Sequence, residues 1–200
     1  LTEDIAYRIG RSVAQTLQAT HVVIGFDARE TSPALAKAAA RGVCATGANV
    51  LDIGLSGTEE MYWAVTSQQA CAGIEVTASH NPIDYNGMKI VKSHSRPLDD
   101  ADDFQLIKAR AGSQEWASVG EVGNVFDRSA EARKAYVDRT LSFVDIEALR
   151  PLKVVVNSGN GAAGPTFDVI EERLLEIGAP LEFIRVHHVP DATFPNGIPN

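Results

Sequence analysis

The sequence predicts an α/β protein: a layered α/β/α domain with a largely parallel mixed sheet, followed by the start of a second similar domain. Short apolar runs of strand length alternate with stretches of helical periodicity, the pattern of strands covered by helices on both faces. The runs "HVVIGFD" (21–27), "NVLDIG" (49–54), "AGIEVT" (72–77) and "LKVVVN" (152–157) are mostly apolar, as strands buried on both faces are. Glycine, proline and asparagine gather between them, where turns must fall.

The elements follow in order. Thr2 with Glu3 and Asp4 offers a cap and an acidic first turn, and Ile5, Ile9, Val13 and Leu17 recur near helical spacing, so 3–18 is expected to be a helix. Strand 21–27 comes next. "TSP" (31–33) supplies a cap and a proline in the first turn of a helix running over 34–46 to Gly47. Strand 49–54 completes a βαβ unit. A helix near 59–69 leads into strand 72–77, and "MKIV" (88–91) reads as a further strand. Helices are expected near 101–111 and 129–143, the second with Ala132, Tyr136, Val137, Leu141 and Val144 as its apolar stripe. "DIEALRP" then ends in a proline before strand 152–157, which places a boundary between a domain over 1–148 and another over 149–200. The second holds strand 152–157, helix 166–177 and strand "LEFIRV" (181–186), too little to bury a core of its own. It is expected to be incomplete.

Composition narrows the function. The 200 residues are 44% hydrophobic and 22% charged, ordinary for a folded protein, with no apolar stretch near the roughly 20 residues a membrane span needs. The start lacks the pattern of a signal peptide, and the chain reads as cytoplasmic. A formal charge of -8 without a dense basic run argues against nucleic acid and anionic membrane as partners. Cys44 and Cys71 sit in apolar runs without a CxxC partner and read as small hydrophobes. One local stretch opposes the overall charge: between Asp84 and Asp99 there is no acid, while Lys89, Lys92, His94 and Arg96 all occur. It suits either a solvated loop or an anion held beside Ser79.

"GIEVTASHNPIDYNGMKIV" (73–91) puts Ser79 and His80 just past the carboxyl end of a central strand, where sites of open α/β sheets collect. Three chemistries compete. A hydrolase pair is disfavoured, because adjacent side chains diverge and no GxSxG elbow surrounds the serine. "GNGAAG" (159–164) matches GxGxxG between a strand and a helix, the context of an NAD-binding Rossmann-type turn. Yet Pro165 follows the third glycine, and "RVHHVP" stands where the ribose-binding acid is expected; glycines serving only a tight turn explain the run as well. The third reading makes Ser79 a phosphoryl carrier. A phosphoserine brings a charge of about -1.5 to -2 and three acceptor oxygens. Lys89, His80, Asn81 and backbone N–H groups are the donors at hand, and phosphoryl transfer is mostly positioning and electrostatics.

"TASHNP" followed by "YNGMKIV" resembles the active-site loop of the α-D-phosphohexomutases, in particular their bacterial phosphomannomutase/phosphoglucomutase branch. "GFDARETSP" (25–33), "GLSGTEEMYWA" (54–64), "VVVNSGNGAAG" (154–164) and "FPNGIPN" (194–200) extend the resemblance over essentially the whole chain. Thr77, in place of the serine usual in phosphoglucosamine mutases, favours the mannose/glucose branch. The resemblance implies an isomerase that moves phosphate between O1 and O6 of a hexose, mannose ahead of glucose, through a phosphorylated Ser79 and a hexose 1,6-bisphosphate that also serves as activator. It implies Ser79, His80 and Lys89 as catalytic residues, Asn81 and Arg29 as phosphate-binding ones, and Mg2+ held by Ser79 through its phosphate. An ammonium beside a phosphate dianion keeps its proton, so Lys89 reads as a charge clamp or an acid. The family's Asp-Gly-Asp-x-Asp-Arg metal loop, its Glu-containing sugar loop, its C-terminal phosphate loop and the Tyr-Asp-x-Arg-Gly segment before the first helix are not in this sequence. The chain is therefore expected to be the N-terminal part of a four-domain enzyme, inactive without the missing C-terminal domains of the same chain. A sugar-phosphate binding module without catalysis is the alternative within the same fold.

Overall fold

The computed structural model describes residues 1–117 and 120–198. Among the described residues six α-helices and eight strands run in chain order: α1 (Glu3–Thr16), β1 (His21–Phe26), α2 (Ser32–Cys44), β2 (Asn49–Leu55), α3 (Thr58–Ser67), β3 (Ala72–Val76), β4 (Met88–Lys92), β5 (Arg96–Pro97), α4 (Gln105–Ser113), β6 (Val125–Asp127), α5 (Ser129–Leu141), β7 (Leu152–Asn157), α6 (Ala163–Glu176) and β8 (Leu181–Val186). The first six strands form one sheet in the order β5-β4-β3-β1-β2-β6. The pairs β3-β1, β1-β2 and β2-β6 are parallel, whereas β3-β4 and β4-β5 are antiparallel, giving the mixed sheet expected. β7 and β8 make a separate parallel pair joined through α6.

Strand alternation sorts the core into two layers. Val22 and Ile24 of β1, Val50 of β2 and Ala72, Ile74 and Val76 of β3 pack beneath α1 and α2, while Val23, Leu51 and Ile53 meet Met61, Ala64 and Val65 of α3. Gly73 faces the second layer, and a Cβ there would overlap Met61 and Val65. Cys44 belongs to the first layer, and Cys71 lies beside Thr20. Helix α1 lies very close to α2, because Gly10 and Gly42 leave room for the facing backbone: a Cβ on Gly42 would overlap the Tyr7 carbonyl oxygen. Gly42→Ala is therefore expected to destabilise the fold by about 1–3 kcal/mol, the usual cost of overpacking, read from the midpoint of urea unfolding. An unchanged midpoint would mean that α1 can shift freely.

The differences from expectation have local causes. Thr31 does not cap α2; its own backbone is helical, and the Ser32 hydroxyl of the first turn donates to Asp27 Oδ1 at 2.6 Å. Helix α6 starts at Ala163, not 166, because Pro165 sits in its first turn, where a missing N–H costs nothing. The segment expected as one helix over 101–111 opens with a wider π-helical turn, Asp100–Phe104, whose N-terminal amides are capped by the Asp99 carboxylate. β5 and β6 were not expected from the sequence. No helix of the described residues is long and apolar enough to cross a membrane.

The second sheet packs through α6. Thr166 donates to the buried Glu60 of α3, and Arg173 Nε lies 3.7 Å from Asp138 of α5. Leu152, Val155 and Ile184 leave much of this two-stranded sheet open to solvent.

Candidate active site

Three segments meet at the carboxyl ends of the strands around a cleft of about 460 Å³. Asp27 and Arg29 follow β1, Ser56 to Glu59 lead into α3, and Ser79 and His80 follow β3; across from them stand Asn157, Ser158 and Gly161 to Ala163 of the β7-α6 turn, with Phe194 and Ile198. Ser79 is exposed and has a φ of 52°. A left-handed backbone at a serine is costly, and it persists here because the surroundings hold it. Its N–H donates to Thr77 Oγ1 at 3.0 Å, and the far end of the loop is tied down where the Thr77 N–H donates to the Gly87 carbonyl at 3.0 Å.

Arg29 organises the rest. The side chain is 2% exposed and spends its guanidinium inside the loop: Nη2 donates to the Ser79 and Asn81 carbonyls at 2.9 and 2.7 Å, and Nη1 donates to those of Pro82 and Tyr85 at 2.8 and 3.1 Å. Nε lies 3.3 Å from Asp27 Oδ2. Arg29, expected as a phosphate-binding residue, directs these donors at backbone acceptors of the loop. Asn81 is likewise turned inward, its side-chain amide donating to the Ala78 carbonyl at 2.8 Å. Asn86 ties the loop to the start of α2 by donating to Thr31 and Ser32 hydroxyls at 2.9 and 2.8 Å.

The cationic stretch after Ser79 does not converge. Lys89 Nζ donates to Thr58 Oγ1 of the cleft wall at 3.2 Å, but Lys92 pairs with Asp103 at 2.6 Å and Arg96 donates to Ser93. Of the two β4 lysines it is Lys89 that reaches toward the cleft, because residues three apart on a strand face opposite ways. His80 lines the cleft beside Ser79.

The glycine run is used by the chain itself. Gly159 and Asn160 both have φ of 57°, and a Cβ on Gly164 would overlap the His188 carbonyl oxygen. Asn160 donates through its backbone to His187 and through its side chain to Val189. The segment after β8 thus packs on the glycines, which accounts for them without a dinucleotide. Phe194 and Ile198 of "FPNGIPN" line the cleft, while Pro199 and Asn200 lie outside the described residues.

Sequence reasoning passed over two buried acids. Glu75 of β3 is fully buried and lines the cleft floor; burial, only partly offset by the Ser56 hydroxyl, pushes its carboxyl well above the usual carboxylate range. Glu60 accepts from the Gly57 N–H at 2.9 Å at the start of α3 as well as from Thr166, and burial raises its carboxyl too. An acid written inside an otherwise apolar strand, as in "GIEVT", was the available signal for the first.

A mixed α/β/α domain with a polar cleft at its strand ends, entered by a serine with a left-handed backbone on a clamped loop, defines an open-sheet α/β protein whose ligand site lies outside the carboxyl ends of its strands. Residues 1–116 match the family described as phosphoglucomutase/phosphomannomutase, alpha/beta/alpha domain I. The chain belongs to that family, the α-D-phosphohexomutases. It is 49% identical over its whole length to a phosphomannomutase of Salmonella montevideo and 45% identical to a protein of Xanthomonas campestris named for phosphohexose mutases, spanning 44% and 43% of those relatives. A crystal structure of a phosphoglucomutase/phosphomannomutase family protein from Burkholderia thailandensis superposes with a TM-score of 0.82 at 30% identity, covering 99% of this chain and 43% of that one. The chain spans less than half the length of the curated relatives it matches.

Proposed function

We propose that the protein of which these residues are the N-terminal part interconverts hexose 6-phosphate and hexose 1-phosphate in the cytoplasm, with mannose as the preferred sugar. The observation that carries this is Ser79, held with a left-handed backbone on an Arg29-clamped loop at the mouth of the cleft. The names of the relatives support the choice of mannose.

In this reading the phosphorylated Ser79 loses its phosphoryl group to a free sugar hydroxyl: the Ser79 O–P bond breaks, a P–O bond forms to the sugar, and the sugar hydroxyl proton ends on the departing Ser79 oxygen, which becomes a hydroxyl again. The product is a hexose 1,6-bisphosphate. After it turns over, its other phosphate returns to Ser79 by the reverse step. Lys89, next to Thr58 on the cleft wall, supplies positive charge to the moving group. His80 borders the same space. Asn81 and Arg29 serve the reaction by fixing the loop.

Magnesium finds no ligand set of its own here. Among the described residues no group of three His, Cys, Asp or Glu side chains converges, and Asp27 is engaged by Arg29 and Ser32. Its aspartate ligands would have to come from outside these 200 residues. We assign 1–148 to the phosphoserine-bearing domain and 149–200 to the beginning of the next, which explains the exposed apolar side chains of β7 and β8. Phosphate-monoester chemistry needs accelerations up to about 10²¹, and this loop by itself is expected to give no turnover.

The test is phosphopeptide mapping of the full-length protein by mass spectrometry, combined with a mutase assay on mannose 1-phosphate and glucose 1-phosphate. Phosphate on the Ser79 peptide that discharges onto either sugar phosphate supports the reading. Binding of sugar phosphates to a Ser79 that never carries phosphate would replace it with a non-catalytic binding module.

A further inference from the structure

Beneath the cleft lies a carboxyl group that the reaction as drawn does not use. Glu75 is on β3, opposite Gly25 of β1 and Lys89 of β4, so all three residues share the face of the sheet that carries the cleft floor. Gly25 makes the space: a Cβ there would overlap both the Ser56 hydroxyl and Glu75 Oε2. The charged and titratable groups around Glu75 are Asp27 at the end of β1, Glu60 on α3 and Lys89 on β4. Two are acids. The Lys89 ammonium is turned to Thr58, and no ion pair reaches Glu75 among the described residues.

The hydrogen bonds decide where a proton belongs. Ser56 is 2% exposed, and its hydroxyl, with one proton to give, lies 3.2 Å from both the Gly54 carbonyl oxygen and Glu75 Oε2. An ionised Glu75 would need that proton, and its buried charge would then rest on the Ser56 hydroxyl as its one side-chain donor among the described residues. A neutral Glu75 donates its own O–H to Ser56 Oγ, and Ser56 donates onward to Gly54. Both contacts are then satisfied without a cation.

We infer that Glu75 works as a neutral carboxylic acid, a positioning residue that keeps the cleft floor uncharged and leaves the Lys89 ammonium to the phosphate on Ser79. An ionised Glu75 would draw Lys89 into an ion pair and add a third negative charge beside a phosphate dianion. The assignment rests on the phosphomutase reading for its role, but the state of the acid can be measured without it.

The experiment compares wild type and Glu75→Gln in the full-length protein, since glutamine reproduces the neutral acid in shape. The sign follows from the direction of the shift. A carboxyl that holds its proton more tightly folded than unfolded gives stability that is fully present below its unfolded pKa and is lost as pH rises toward its folded one. Glutamine has no such dependence. Urea midpoints of Glu75→Gln should therefore rise above those of wild type by a margin that grows from mildly acidic to neutral pH. Infrared spectra of the wild type should show a protonated-carboxyl band that survives at mildly alkaline pH and in Glu60→Gln, and this holds even if Glu75→Gln fails to fold. Mutase kcat should fall about tenfold in Glu75→Ala and be recovered by the neutral isostere in Glu75→Gln with an unmoved pH profile, the rescue that a positioning role requires. A margin that shrinks with pH, a band absent at neutral pH, or a tenfold loss in kcat/KM in Glu75→Gln with a displaced pH limb would each overturn the inference. Absence of mutase activity in wild type would fell the proposed function, with the band and the urea margin still deciding the state of Glu75.

Discussion

Replacing Ser79 with alanine in the full-length protein is expected to abolish phosphoryl transfer while leaving the fold intact. Losing a covalent nucleophile in an enzyme whose residues act as a unit costs on the order of 10⁴- to 10⁶-fold in kcat. The two hydroxyls flanking Ser79 are poorly placed to inherit the task, because Thr77 Oγ1 already accepts from the Ser79 N–H and Ser56 is buried beneath the floor. The exposed Ser79 side chain makes no core contact, so the urea midpoint of Ser79→Ala should match wild type closely. Rapid-quench measurement of single-turnover transfer is the deciding assay. Transfer within tenfold of wild type would remove Ser79 as the carrier.

The second large effect is expected at Arg29. Arg29→Ala removes the donors facing four loop carbonyls and leaves the Asp27 carboxylate without its cation. Breaking a buried, hydrogen-bonded charge typically costs about 3–5 kcal/mol, and misplacing a reacting group by about 1 Å can cost 10²-fold in rate. Both stability and turnover should fall together. Arg29→Lys keeps the charge but offers three donors on a point-like head where a planar fork now reaches four oxygens. It is expected to recover part of the stability and little of the rate. Equal rescue of both by lysine would show that charge alone, not the fork, holds the loop.

These two residues also mark how far the sequence could be read. The position of Ser79 past a strand end was legible because it follows an apolar strand in a loop punctuated by proline and glycine, both local signals. Arg29 was visible as a charge near a helix start, but not as a clamp, because its partners are backbone carbonyls 50 to 56 residues away, and carbonyls leave no mark in a sequence. The strands buried on both faces declared themselves as apolar runs. β6 did not: Val125 and Phe126 are largely exposed, and the strand is held through backbone pairing to β2 at the sheet edge. Glu75 stood in plain view as an acid inside an apolar strand, but its neighbours Ser56 and Gly25 lie 19 and 50 residues away, so the sequence did not show what would surround it. The cationic run misled by proximity, since alternation along β4 sends Lys89 and Lys92 in opposite directions.

The left-handed backbone of Ser79, with its φ of 52°, has a bearing on how this loop can change over time. Glycine adopts that conformation without steric cost, so Ser79→Gly would relieve strain worth about 1–2 kcal/mol. The most comfortable residue at position 79 is thus one that cannot carry a phosphate. Under the proposed reaction, selection for a sturdier chain and selection for turnover pull against each other at this single position, and a gene copy released from that reaction would gain robustness by the same substitution that silences it.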